Sequence, residues 1–213
     1  MVAAAVLAGG ASRRMGRDKA TLAVAGVELA SLALAAAARV ADPVVLVAPE
    51  GHPARRLAAA PVTDPGEGPL AALAAALAAL DADHVLVLAG DHPGLRVELL
   101  AHLADLADRG EAVACRRGPR LEPLVAVYRR APALALARAR LADPAGDRSL
   151  AGLLAGLRTL VVEEAQWRPL DPDGRSFVDL DDPADLEAWD RTTASSRPLA
   201  DTTASSRPLA DDR

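Results

Sequence analysis

The chain opens on an apolar run, residues 2–8, that stops at two adjacent glycines, Gly9 and Gly10. Such a run reads as a buried strand, and a strand ending in a glycine pair delivers a tight loop at the carboxyl edge of its sheet. Glycine accepts φ > 0 and leaves room for a ligand to approach the backbone. The exposed N–H groups of such a loop form a nest for anions. Ser12 adds a hydroxyl to this loop, and Arg13, Arg14, Arg17 and Lys19 add charge. That set suits a polyphosphate. The spacing excludes two better-known phosphate motifs. A Walker loop needs Gly-Lys-Ser/Thr in succession, and here Lys19 follows Asp18. A dinucleotide fingerprint needs Gly-x-Gly-x-x-Gly, and here the first two glycines are neighbours.

Strand-like and helix-like segments alternate along the rest of the chain, which predicts a parallel sheet with helices on its faces. Leu29, Leu32, Ala36 and Val40 recur at helical spacing over 28–41, and a short β-branched strand follows over 44–47. Leu70, Leu73, Leu77 and Leu80 form one stripe over 69–80, with Pro69 in the first turn. A buried strand over 85–88 runs into Ala89-Gly90-Asp91. Helices are predicted over 95–107, 132–141 and 150–157, and strands over 112–114, 124–128 and 159–162. Asp182-Pro183-Ala184-Asp185 has the form of a helix start, with a carboxylate cap, proline in the first position and acid in the first turn; that helix ends near Trp189. Residues 1–191 therefore read as one domain. Residues 192–213 differ: Thr-Thr-Ala-Ser-Ser-Arg-Pro-Leu-Ala-Asp occurs twice in succession, polar and without an apolar period, so a disordered tail is expected there.

Composition narrows the class. Apolar residues make up 51% of the chain and aromatics only 2%, so the core is built from alanine, leucine and valine, which suits helices packed on a sheet. A formal net charge of −5 does not favour nucleic acid as a partner. The single cysteine, Cys115, leaves no internal disulfide and fits a reducing compartment. The amino terminus lacks the form of a signal peptide, and no apolar run is long enough for a membrane span. A cytoplasmic enzyme or binding domain is the expectation from these features; a monomer is a working expectation that they do not determine.

Two further positions carry chemistry. In Leu88-Ala-Gly-Asp-His-Pro93 an apolar strand ends in a carboxylate, Asp91, on the same edge as the glycine loop. A carboxylate there can reach a metal held by nucleotide phosphates. Magnesium keeps waters and takes phosphate oxygens, so one or two carboxylates suffice. His92 is not read as a ligand, and His52, His84 and His102 have no ligand spacing. In the segment 62–73 a short strand ends at Asp64, and a glycine loop with Gly66 and Gly68 then enters the leucine-striped helix. A carboxylate accepts two hydrogen bonds from the N1–H and 2-amino group of guanine, a pair that adenine lacks.

The segment 7–19 resembles the signature of nucleotidyltransferases with a nucleotide-sugar-transferase-like fold, Leu-x-Gly-Gly-x-Ser-x-Arg-Met-Gly-x-Asp-Lys, and matches it at every fixed position. Later blocks resemble one family among them, the molybdenum cofactor guanylyltransferases. These are Gly-Pro-Leu-x-x-Leu at 68–73, Glu122-Pro123-Leu124 followed by Ala126-Val127-Tyr128, and Phe-Val-Asp-Leu-Asp-Asp-Pro-Ala-Asp-Leu at 177–186. The resemblance covers about residues 2–190. It departs where the family carries two asparagines on the pterin side, which are Asp179 and Asp181 here, and where Ala72 replaces a glycine.

The resemblance implies a three-layer α/β/α sandwich around a mostly parallel, Rossmann-like sheet. It implies transfer of GMP from GTP to the terminal phosphate of molybdenum-molybdopterin, with release of pyrophosphate. Backbone groups around Leu7, Ala8, Gly9, Gly10 and Ser12 would hold the triphosphate, with Arg13 beside them. Lys19, with Arg13 or Arg14, would neutralise charge at the α-phosphoryl group. Asp91 would hold Mg²⁺, and Asp64 and Gly68 would lie on the guanine side. Two sister reactions stay open at this point: cytidylyl transfer to the same cofactor and guanylyl transfer to phospholactate. A nucleotide-binding regulatory domain without turnover is the alternative of another class.

Overall fold

The computed structural model describes residues 1–9, 23–24, 26–180, 185 and 189. The first strand, β1 (Val2–Leu7), is the predicted apolar run. A two-residue hairpin, β2 (Ala23–Val24) and β3 (Val27–Glu28), precedes helix α1 (Leu29–Ala37). Strands β4 (Val44–Ala48) and β5 (Val62–Thr63) lead to helix α2 (Pro69–Ala79), and β6 (His84–Ala89) leads to α3 (Val97–Asp105). A long hairpin, β7 (Ala112–Arg117) and β8 (Arg120–Arg129), is followed by α4 (Arg130–Ala142) and α5 (Leu150–Gly156). Strand β9 (Thr159–Val162) and the short α6 (Glu164–Trp167) complete the order.

The central sheet has seven strands in the order β5-β4-β1-β6-β8-β7-β9. Among the described residues only β8 runs against the others, pairing antiparallel with both β6 and β7. Strands buried on both faces need apolar residues at successive positions, and alternation sorts them between two layers. Ala3, Ala5, Val85 and Val87 pack with Leu70, Leu73 and Leu77 of α2 and with Ala133 and Ala137 of α4. Ala4, Val6, Leu86 and Leu88 pack on the opposite face with Ala30, Ala33 and Ala37 of α1 and Leu99, Leu100 and Leu103 of α3. The expected three-layer α/β/α sandwich with a mostly parallel sheet is the observed architecture. Small alanines on the inward faces of α1 and β1 let the helix lie close to the sheet.

Local differences from the periodicity have identifiable causes. Helix α1 begins at Leu29 because Glu28 is held extended, paired with Ala23 across the hairpin. The helix predicted over 95–107 is α3 followed by a separate turn of 3₁₀ helix, Ala107–Arg109. Strands β7 and β8 extend past their apolar centres into Arg116, Arg117, Arg120 and Glu122, where ladder pairing overrides weak strand propensity. Asp185 and Trp189 are helical. The tail 192–213, the start of the last helix at Asp182, and Asp181 lie outside the described residues. Among the described residues, no helix is long and apolar enough to cross a membrane.

Candidate active site

The carboxyl ends of β1, β4, β5 and β6 share one edge because the four strands are parallel neighbours. Three main-chain hydrogen bonds continue the ladder past the strand ends. Gly90 N donates to Leu7 O at 2.9 Å, Ala8 N donates to Val47 O at 2.8 Å, and Asp64 N donates to Ala48 O at 3.0 Å. The result places Gly9 between Asp64, two strands away on one side, and Asp91, one strand away on the other. Leu7, Ala8 and Gly9 are partly exposed, so the start of the glycine loop faces outward from this edge.

Asp64 is 7% exposed. Its Oδ1 accepts a hydrogen bond from Gly66 N at 2.8 Å. Its Oδ2 turns toward Gly9 so closely that a Cβ built there would collide with it and would lie 3.0 Å from Pro49 Cδ. A side chain at position 9 would force Asp64 or Pro49 to shift, so glycine suits this close approach. Gly68 is required for a different reason: it caps α2 at φ 98°, a region that side chains rarely enter. Its carbonyl accepts from Ala71 N and Ala72 N, both at 3.1 Å, with Pro69 opening the helix.

Asp91 lies just past the end of β6, with its side chain 31% exposed. The next residue is buried: His92 is 7% exposed, and its Nδ1 lies 3.0 Å from Ser176 O. A carbonyl only accepts, so Nδ1 carries the proton. The other ring nitrogen, Nε2, faces Asp91 Oδ1 at 4.0 Å. Ser176 is itself anchored. Its Oγ accepts from Arg96 N at 2.9 Å, and its N donates to Asp171 Oδ2 at 2.8 Å. Asp171 is fully buried and also accepts from Arg175 N at 3.0 Å. Beyond Ser176, Arg117 Nη1 donates to Phe177 O at 2.8 Å and Leu180 N donates to Asp91 O at 3.2 Å. The segment 176–180 is thus laid along the Asp91 loop, and it brings the exposed Asp179 to that side of the edge.

Glu122 stands nearby at the start of β8. The β7–β8 register shifts between Ala114 and Arg116, beside Pro123, which has no N–H to donate to a ladder. Tyr128 Oη donates to Pro123 O at 2.9 Å and holds the irregular segment in place. Burial, and then the charge of Asp179, push the Glu122 carboxyl above its usual range against the opposing pull of Arg117, His92 and Arg120. Arg117 Nε lies 3.4 Å from Glu122 Oε1.

Of the residues singled out in the sequence, the structure sets Leu7, Ala8, Gly9, Asp64 and Asp91 on one sheet edge, and Gly68 at the N-cap of α2. Gly10, Ser12, Arg13, Arg14 and Lys19 lie outside the described residues. Sequence reasoning gave no role to His92, Ser176, Asp171, Arg117 or Glu122. Only Glu122 carried a signal, as the first residue of the Glu122-Pro123-Leu124 block.

Comparison with known proteins agrees with this geometry. A family profile described as "MobA-like NTP transferase domain" matches residues 4–162. A probable molybdenum cofactor guanylyltransferase of Chloroflexus aggregans is 34% identical over 195 residues, 88% of this chain and 92% of that protein. A molybdenum cofactor guanylyltransferase of Syntrophotalea carbinolica is 32% identical over 192 residues, 88% of this chain and 90% of that protein. Among solved structures, molybdopterin-guanine dinucleotide biosynthesis protein A of Archaeoglobus fulgidus superposes with a TM-score of 0.76 at 25% identity, covering 92% of this chain and 100% of that one. A parallel sheet whose carboxyl edge unites a glycine loop with two acidic strand ends, and sequence similarity across most of its length, make this chain a member of the MobA-like NTP transferases, in the molybdenum cofactor guanylyltransferase family.

Proposed function

We propose that the protein transfers GMP from GTP to the terminal phosphate of molybdenum-molybdopterin, giving the guanine dinucleotide cofactor and pyrophosphate. The observation that carries this reading is the meeting of Gly9, Asp64 and Asp91 on one sheet edge, in a chain of this family. Backbone groups around Leu7, Ala8 and Gly9, with the motif residues Gly10 and Ser12, are assigned to the triphosphate. From the motif over 7–19, Lys19, with Arg13 or Arg14, is assigned to neutralise the negative charge that develops at the α-phosphoryl group in the transition state. Positioning and charge stabilisation carry such a transfer, and no covalent intermediate is required.

Mg²⁺ fits the donors present. Among the described residues, no group of three or more His, Cys, Asp or Glu could hold a metal by itself. A part-exposed carboxylate at the end of β6 suits an ion held mainly by phosphate oxygens and water, and Asp91 is that carboxylate. When bound, the ion supplies electrostatic stabilisation of the phosphate oxygens. Asp179 and Asp181 belong to the acceptor side in this reading. A single free cysteine, Cys115, and a biosynthetic reaction that consumes GTP fit a cytoplasmic enzyme.

The test is pyrophosphate release with molybdopterin supplied, GTP and CTP competing, and Mg²⁺ present or withheld. Release from GTP alone, dependent on both molybdopterin and Mg²⁺, is the expected result. Preference for CTP would make the chain a cytidylyltransferase, and nucleotide binding without release would make it a regulatory domain.

Guanine selection is assigned to Asp64, which accepts from both N1–H and the 2-amino group. Asp64→Asn presents one acceptor and one donor, so one base donor loses its partner at a cost of about 1–3 kcal/mol. The ratio of apparent affinities for GTP and inosine triphosphate, which lacks the 2-amino group, should fall in the mutant. An unchanged ratio would put base recognition elsewhere.

Gly9→Ala tests the fit between loop and carboxylate. Its Cβ would collide with Asp64 Oδ2 and crowd Pro49, so one of them must move. GTP affinity by calorimetry should drop by about tenfold or more, on the scale of small-to-large strain in a packed site, and the selectivity over inosine triphosphate should shrink with it. Wild-type affinity and selectivity in the mutant would show that Asp64 does not serve the nucleotide through this contact.

A further inference from the structure

We infer that Arg55 is a positioning residue for nucleotide selection: its guanidinium clips the end of β4 to the chain entering Asp64, and so fixes where the Asp64 carboxylate stands. The assignment rests on the reading of Asp64 as the guanine-selecting group and goes beyond it, because Arg55 acts through Asp64 and not on the base.

The end of β5 is a place that needs such a clip. The strand has two residues and stands at the edge of the sheet, with Val62 opposite Val47 and Thr63 opposite Ala48. A strand this short brings few ladder bonds of its own. Asp64 follows it directly and is tied to β4 by the bond from its N to Ala48 O at 3.0 Å. Arg55 converges on that same oxygen. Its Nη1 donates to Ala48 O at 2.9 Å, and over a longer 3.4 Å to Val62 O and to Thr63 Oγ1. Its Nη2 donates to Pro61 O at 3.4 Å. One planar fork therefore spans the last residue of β4 and the three successive residues that lead into Asp64, a reach that a single-point cation does not have. The base of the clip is itself anchored. Arg55 lies in a turn of 3₁₀ helix, Pro53–Leu57, capped by His52, whose Nδ1 accepts from Ala54 N at 3.3 Å. Ala54 is fully buried in the core layer beneath α1 and α3. Pro49 and Asp64, at the two ends of this connection, both come up against Gly9. An arginine serving only to solvate the surface would need none of these partners. A carboxylate that must meet two base donors at once tolerates little displacement, so a loosened β5 end weakens the contact that distinguishes guanine.

Arg55→Met keeps an apolar stem and removes every donor. Arg55→Lys keeps the charge and a donor for Ala48 O but lacks the fork. Calorimetric affinities for GTP and for inosine triphosphate, measured well below the thermal midpoint, give a ratio that a purely structural role would not move. In Arg55→Met this ratio should fall by about fivefold, the scale of one weakened hydrogen bond, while the Michaelis constant for molybdopterin stays within about twofold of wild type. Arg55→Lys should fall between wild type and Arg55→Met. In the Asp64→Asn background Arg55→Met should lower the ratio no further, because the group it positions has already been changed. A wild-type ratio in Arg55→Met, an equal loss of affinity for both nucleotides, or a full additional loss in the double mutant overturns the inference. If Arg55→Met does not fold, Arg55→Lys is read alone: a ratio lowered by about twofold is expected, and a wild-type ratio overturns the inference. Asp64→Asn by itself is the control. If it keeps the wild-type ratio, the reading of Asp64 fails and that of Arg55 falls with it. If it loses selectivity while Arg55→Met does not, only the inference about Arg55 fails.

Discussion

Asp91→Asn is expected to lower turnover on the order of 100-fold, about 2.7 kcal/mol of transition-state stabilisation, and to shift the magnesium dependence to higher concentration. The amide keeps the size of the side chain and one neutral oxygen but loses the charge proposed to hold the cation. The fold should survive, for two reasons visible in the structure. The side chain is 31% exposed, so no buried cavity opens. The bond that ties the segment 176–180 to this loop, from Leu180 N, ends on the main-chain oxygen of Asp91, which the substitution leaves in place. GTP binding measured without metal should change little. The decisive measurement is rate against Mg²⁺ concentration for both proteins. Superimposable titrations would remove Asp91 from the metal site, whatever the rates.

Lys19→Ala should be the more damaging change, with turnover falling on the order of 10²–10³-fold, the scale for loss of one preorganised charge-stabilising group. Its motivation is the motif over 7–19, in which a lysine closes a loop already supplied with glycines and arginines. The loss should appear in kcat more than in the affinity for GTP, because the proposed role is exercised at the α-phosphoryl group, where charge changes during transfer. Single-turnover rates and calorimetric GTP affinity, measured on the same preparation, separate the two. A mutant that turns over within about threefold of wild type would show that Lys19 is not catalytic.

How much of this was legible beforehand differs from element to element. The run into Gly9 and Gly10, the leucine stripe of α2 and the strand into Asp91 were readable because burial on both sides of a sheet demands consecutive apolar residues, and packing of a helix demands a 3.6-residue period. From those alone came the strand–helix alternation, the parallel sheet and the glycine loop, and the motif over 7–19 named the superfamily. That Asp64 and Asp91 stand at strand ends on one edge was legible for the same reason: each comes within two residues of the end of a strand, and parallel strands end on one edge. The antiparallel course of β8 was not legible, since Leu-Val-Ala-Val-Tyr at 124–128 has the same pattern in either direction. Nor were the extensions of β7 and β8 through arginines and Glu122, where pairing with a neighbouring strand outweighs local preference.

What the sequence determined by itself is the layer architecture and the identity of the groups at the strand ends, because both follow from periodicities and junctions a few residues long. What only the tertiary structure decided is the company those groups keep. The close approach of Asp64 Oδ2 to Gly9 depends on β1 and β5 flanking β4. The contact of His92 with Ser176 joins residues 84 positions apart. Buried polar groups must find partners, but which partner each finds depends on where distant segments of the chain come together, and no local pattern encodes that.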